Sequence, residues 1–298
     1  MTNSQPSRRK KIVRLTIFAL LCLIIFGYGG YTTAWVYYVT HPAHHTVCCV
    51  TPADWGATYE DVTIPGQDGI ALAGWYLPAQ NNAAVIVLHG YGADRGQMWP
   101  HIGHLHDAGY GVLALDMRAH GESAGDHRTW GWQAAGDMRG AVDFLLAQDG
   151  IEHIGILGHS VGGQVAIRAA AQFDEIAAVV ADGPALAREE DVLYETSFRT
   201  VIWYANYSLQ NHLMALVLDI PLAESVTDAI RELDGRPVFL IAGGGNPYET
   251  EIAQKYYDAA HDPKTLWVIP DATHGQTWVR EPETYAARVV AFFDAAFE

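Results

Sequence analysis

The 298-residue chain predicts an α/β fold, a mostly parallel sheet flanked by helices and preceded by one N-terminal transmembrane helix. Three observations lead there. Short, nearly continuous apolar runs recur along the chain, as expected for strands buried on both faces of a parallel sheet. Amphipathic helical patterns separate them, and that alternation argues helices on both sides of the sheet. The N-terminal region holds a charge-free apolar stretch long enough to cross a bilayer.

That stretch comes first in the chain. Arg8, Arg9, Lys10, Lys11 and Arg14 precede Leu15 to Tyr38, which carry no charge and suffice for a hydrocarbon core of roughly 30 Å. Tyr28, Tyr31, Trp35, Tyr37 and Tyr38 supply amphipathic rings that suit a headgroup layer, and the positive-inside bias keeps the basic cluster in the cytoplasm. Residues 1–14 therefore read as a cytoplasmic basic segment, 15–38 as a single-pass anchor, 39–58 as a juxtamembrane linker, and 59–298 as a domain on the non-cytoplasmic side. A cleaved signal peptide is the competing reading, because residues 27–30 (GYGG) offer small residues, but the run exceeds a usual h-region and carries an aromatic belt.

Of the 18 basic residues, the five just named precede position 15, and residues 1–39 contain no acid. The remainder holds 13 basic against 34 acidic side chains, a formal charge of −21. Nucleic acid is excluded as a partner, since phosphate neutralisation needs clustered Lys and Arg; the acidity reads as solubility. Cys48 and Cys49 stand just beyond the apolar run, where oxidation is allowed, so a vicinal or intermolecular disulfide is open to them. Together with the histidines of residues 41–45 they match no established zinc spacing, and no metal is expected.

From Tyr59 onward the elements follow in order. Residues 59–64 and 70–78 are β-rich and joined across Asp68-Gly69, a hairpin signal. Residues 83–90, 110–116, 153–160, 176–183, 237–244 and 265–272 are the buried strands. Helical patterns fill Met98 to Asp107, Trp132 to Gln148, Val161 to Gln172, Tyr248 to Ala260 and Glu283 to Phe297. One connection, about 186–229, is far longer than a crossover needs and is rich in apolar and aromatic residues, Tyr194 and Trp203 among them. It reads as a helical cap, with ordinary core helices as the alternative.

Gly158-His159-Ser160-Val161-Gly162 lies between a strand and a helix, the context in which G-x-S-x-G means a nucleophile elbow. Gly158 and Gly162 let strand and helix approach closely, so the Ser160 hydroxyl projects above the sheet, and the helix N-terminus favours developing negative charge. On these residues the chain resembles the α/β-hydrolase superfamily, most nearly its serine aminopeptidase-like and monoacylglycerol lipase-like branch, from about Tyr59 to the end. The resemblance implies a helical cap on the α/β-hydrolase fold. Residues 88–92 (LHGYG) stand where that family places its oxyanion loop, which implies the backbone N–H groups of Tyr91 and Val161 as donors. Residues 116–123 (DMRAHGES) are similar to a structural turn of the family, with Ala119 in place of glycine, so Asp116, Arg118 and His120 are not catalytic candidates. Residues 270–278 (PDATHGQTW) follow the last strand, which implies His274 as the base. His101, His104 and His106 do not share one helical face.

The acid departs from the pattern. Where the family usually shows an aspartate, this chain has Asn246, and an amide cannot stabilise an imidazolium. Glu249 is the nearest carboxylate and the first candidate; Asp182, at the end of the preceding strand, is the alternative. Both keep the order serine, acid, histidine.

The resulting expectation is a membrane-anchored serine hydrolase of small-molecule acyl esters, with no metal or organic cofactor. A serine aminopeptidase or amidase with the same residues is the alternative, and a non-catalytic binding protein on the same fold is a third reading. A serine at the elbow excludes haloalkane dehalogenase chemistry, which needs a carboxylate nucleophile.

Overall fold

The computed structural model describes residues 8–41, 47, 49–192 and 198–298. Cys48, residues 42–46 and residues 193–197, with Tyr194, lie outside them, and so do the disulfide and metal readings that depended on Cys48 and its neighbouring histidines. The described elements are α1 (Arg8–Thr40), β1 (Glu60–Pro65), β2 (Ala71–Leu77), β3 (Ala83–Leu88), α2 (Trp99–Asp107), β4 (Gly111–Leu115), α3 (Ala134–Leu146), β5 (His153–His159) and α4 (Val161–Gln172). They continue with β6 (Ile176–Asp182), α5 (Phe198–Leu218), α6 (Val226–Arg231), β7 (Val238–Gly243), α7 (Pro247–Ala259), β8 (Lys264–Ile269), α8 (Thr277–Arg280) and α9 (Pro282–Phe297).

The strands form one 8-stranded sheet in the order β1-β2-β4-β3-β5-β6-β7-β8. β2 runs antiparallel to β1 and β4, and every later pairing is parallel. Period-two geometry explains why the central strands are apolar throughout. Along β3, Ala84, Ile86 and Leu88 face a core shared with α3, α4, α6 and α7, while Ala83, Val85 and Val87 face a second core shared with α2 and α9. Neither set is exposed to water, so no polar alternation survives in the sequence.

At two places the structure redraws the boundaries that the sequence suggests. The N-terminal helix is longer than the apolar run: α1 takes in Arg8 to Arg14, whose Lys and Arg are good helix formers, and continues through Val39 and Thr40. Thr40 is fully buried and bonds Val36 O at 2.7 Å, so the end of the helix docks on the domain where a linker was expected. α1 is long and apolar enough to cross a membrane. The long connection differs at its far end. α6 is a core helix, with Val226, Ala229 and Ile230 unexposed, so the cap reduces to α5 and its approach. Asp191 ties the two stems together: its carboxylate accepts from Ala187 N, Arg188 N, Val226 N and Thr227 N at 2.9 to 3.1 Å.

The turn after β4 is a structural hub. Asp116 is fully buried and receives Arg95 N (2.6 Å), Glu122 N (2.9 Å) and the Arg95 guanidinium. Arg118 forks onto Asp137 of α3, with Nε donating at 2.7 Å, and Asp137 also accepts Gln67 N of the β1–β2 turn at 2.9 Å. Burial raises the Asp137 pKa, and Arg118 opposes that rise. Arg118→Ala leaves a buried carboxylate without its cation, and is expected to cost about 3–5 kcal/mol of stability. Urea unfolding measures it; a loss under 1 kcal/mol would show that Asp137 does not need the guanidinium.

Candidate active site

Steric necessity starts at the end of β5. A Cβ on Gly158 would lie 2.1 Å from Gly162 O, and one on Gly162 would lie 2.5 Å from Leu88 O, so both must be glycine for α4 to begin where it does. Ser160 between them has φ 55° and ψ −115°, a left-handed conformation that costs a non-glycine residue free energy and is held by its surroundings. The surroundings are visible: Ser160 N donates to Asp182 O at 2.8 Å, and Ser160 O accepts Ala185 N at 3.0 Å.

His274 reaches the serine from the turn between β8 and α8. Its Nε2 is 3.0 Å from Ser160 Oγ, and its Nδ1 is 2.9 Å from Glu249 Oε2. Glu249 is held in the first turn of α7, which opens with Asn246 as its cap, accepting Tyr248 N at 3.2 Å, and with Pro247 at the first helical position. The other carboxylate oxygen, Oε1, accepts Gly243 N at 2.8 Å. The hydrogen bond to Glu249 raises the His274 pKa; burial opposes it, and the charges of Glu249 and Asp182 add to it.

Asp182, the alternative acid, is directed elsewhere. It is 1% exposed, accepts Thr277 Oγ1 at 2.6 Å and Tyr285 Oη at 3.2 Å, and lies 3.7 Å from His159 Nδ1. Burial pushes its pKa up, and His159, Thr277 and His101 outweigh that push, so the carboxyl stays below its ordinary value. His101 belongs to this buried cluster, packed against Tyr285, where desolvation lowers its pKa to about 3.

Val161 is the first residue of α4, so its N–H has no intrahelical acceptor. The Gly90-Tyr91 loop runs alongside: a Cβ on Gly90 would sit 3.5 Å from Ser160 Cβ. The Tyr91 ring stacks on Trp130 with centroids 4.3 Å apart, and its hydroxyl donates to Val39 O of α1.

Two contributors had no motif to announce them. Gly183, with φ 55°, passes so close that a Cβ there would lie 3.1 Å from Glu249 Oε1 and 3.2 Å from His274 Nδ1. A cavity of about 260 Å³ opens at His274 and is walled by Trp130, α5 and, unexpectedly, Trp35, Val36 and Val39 of α1. The spacing of Thr32, Val36 and Thr40, buried residues four apart on α1, is the only sequence signal for that docking.

A strained serine between a parallel strand and a helix thus stands beside a histidine and a carboxylate. The chain belongs to the α/β-hydrolase superfamily. Residues 83–202 match the family model described as alpha/beta hydrolase fold. The Mycobacterium tuberculosis (strain H37Rv) uncharacterized protein Rv2307c is 30% identical over 239 residues, which cover 77% of this chain and 75% of that one. Among solved structures, the Pyrococcus furiosus esterase Pf2001 superposes with a TM-score of 0.69 and 30% identity, covering 86% of this chain and 97% of its own. Est1E from Butyrivibrio proteoclasticus, solved with ferulic acid bound, shares the fold at 21% identity and a TM-score of 0.61.

Gly158→Ala tests the elbow. The added methyl meets the backbone of Gly162 and Gly163, which cannot give way as a side chain could, so a stability loss of about 1–3 kcal/mol or more is expected, together with loss of labelling by a fluorophosphonate. A variant with unchanged melting temperature and full labelling would refute the steric argument.

Proposed function

We propose that the chain is a membrane-anchored serine hydrolase that cleaves carboxylic esters with apolar acyl groups. The observation that carries the reading is the pair of contacts at His274, 3.0 Å to Ser160 Oγ and 2.9 Å to Glu249. Both lie within hydrogen-bond reach, the geometric condition for a nucleophile, base and orienter.

Ser160 Oγ attacks the acyl carbon while His274 Nε2 takes its proton; the proton then goes to the alcohol oxygen as the C–O bond breaks, leaving an acyl-serine. Water, deprotonated by His274, attacks that ester, the carboxylic acid departs and Ser160 recovers its proton. The N–H groups of Tyr91 and Val161 hold the oxyanion in both steps. Glu249 keeps Nδ1 protonated and stabilises the imidazolium.

The cavity favours an ester over an aminopeptide. Its lining is mostly apolar and aromatic, and Glu249, its one carboxylate among the described residues, is already engaged by His274, leaving none for a peptide amine.

Anchoring is supported by α1, and the side is inferred from the basic residues before Leu15 and the aromatic belt after it. Protease added outside intact cells, or in the periplasm after outer-membrane permeabilisation, is expected to digest the domain; full-length soluble protein in the cytosol would refute the topology.

Three variants test the chemistry. Ser160→Ala is expected to abolish fluorophosphonate labelling and ester hydrolysis with the fold intact; full labelling would sink the nucleophile. Glu249→Gln is expected to lower kcat on the order of 10³ to 10⁴, and Asp182→Asn much less; the reverse ranking would move the acid to β6. The base must be neutral to act, and the Glu249 bond raises the His274 pKa above its ordinary 6.5. The acid limb of kcat/KM therefore lies above pH 6.5 in the native protein. Residual activity of Glu249→Gln should keep its neutral base to lower pH, so its limb shifts downward; an unmoved limb would separate Glu249 from His274.

A further inference from the structure

The end of the N-terminal helix does more than tether. Between Arg8 and Gly27 every described side chain but that of Cys22 is exposed, whereas Thr32, Val36 and Thr40 are 2%, 3% and 0% exposed. That buried stripe is pinned at three points: Tyr28 donates to Asn206 of α5, Arg128 N donates to Thr40 O at 2.8 Å, and the Tyr91 hydroxyl donates to Val39 O. The cavity lined by Trp35, Val36 and Val39 is lined also by Trp203, Tyr207 and Met214 of α5 and by His274. The two helices therefore share the wall of one cavity.

Lengths place that shared wall at the edge of a bilayer. The free apolar part of α1, Leu15 to Gly27, rises about 20 Å, short of a hydrocarbon core of roughly 30 Å. The shortfall is met only by the part of α1 that lies beside α5. At its N-terminal end α5 exposes Phe198 (81%), Val201 (62%) and Ile202 (53%), apolar side chains that suit lipid and are costly in water. No Lys or Arg lines the cavity among the described residues, so nothing there recruits an anionic headgroup.

We propose that Trp35, Val36 and Val39 of α1 form one wall of the acyl pocket, and that the substrate is a bilayer-resident lipid ester whose acyl chain lies against α1 and α5. The proposal rests on the esterase reading above and adds to it where the substrate comes from and which residues select it. It also makes α1 contiguous with the oxyanion loop through Tyr91, so the anchor and the catalytic centre share one packed unit.

The test uses the full-length protein in phosphatidylcholine vesicles with 1,2-dioleoylglycerol as probe, p-nitrophenyl acetate as short-chain reference, and fluorophosphonate labelling throughout. Hydrolysis of dioleoylglycerol is expected to fall in proportion as the probe is diluted in the surface at constant bulk concentration. Val39→Trp, which fills the pocket from the α1 side, is expected to lower kcat/KM for the oleoyl ester at least tenfold relative to the acetyl ester. Should that variant not fold, Trp35→Ala at the exposed rim reads the same wall, with the oleoyl-to-acetyl ratio again reduced. Labelled, active protein whose ratio is unchanged in the variant that folds would overturn the α1 wall. A rate that follows bulk rather than surface concentration would overturn access from the bilayer. Absence of labelling in the wild type would instead remove the serine-hydrolase reading itself.

Discussion

The close approach of β5 and α4 at Ser160 is the constraint on which the rest of the site depends. Two glycines without Cβ atoms let the backbone of Gly162 pass over Gly158 and under Leu88. The serine between them takes φ 55°, and its strain is offset by hydrogen bonds to the carbonyl of Asp182 and the N–H of Ala185. Those partners come from β6 and the loop after it, so the elbow is stable only within the assembled sheet. The loop after β3 and the turn after β8 leave the same edge of the sheet as the elbow because β3, β5 and β8 all run parallel, β3 directly beside β5 and β8 beyond β6 and β7.

Carboxylates at this edge of the sheet divide the work by environment. Glu249 is fixed by the N–H of Gly243 and turned toward His274, while Asp182, deeper and nearly unexposed, is occupied by Thr277 and Tyr285 and stands near His159. Asp116 serves neither and closes the turn with Arg95. A buried charge requires partners, and the partners that each acid finds decide its role.

The cap and the N-terminal helix share one apolar cluster: Val36, Trp132, Met214 and Ala223 pack together. Asp191 fixes the stems on either side of α5 through backbone N–H groups. A single helix is thereby presented at the site on a rigid base, with the last turns of α1 beside it.

Much was legible in the sequence because its signals are local. Unalternating apolar runs follow from burial on both sheet faces; the elbow follows from a five-residue pattern; the hairpin follows from Asp68 and Gly69, both at positive φ. Ser160, His274 and Glu249 were each marked by position along the chain. What the chain order left open was which carboxylate meets His274, since Glu249 and Asp182 both precede it and only the packing of β6, α7 and the turn after β8 brings Glu249 to 2.9 Å. Val36 and Val39 were hidden more completely. An apolar residue on an apolar helix looks the same whether it faces lipid or a pocket, and that choice is made by contacts with distant residues, Tyr91 and Met214 among them, about which a local pattern carries no information.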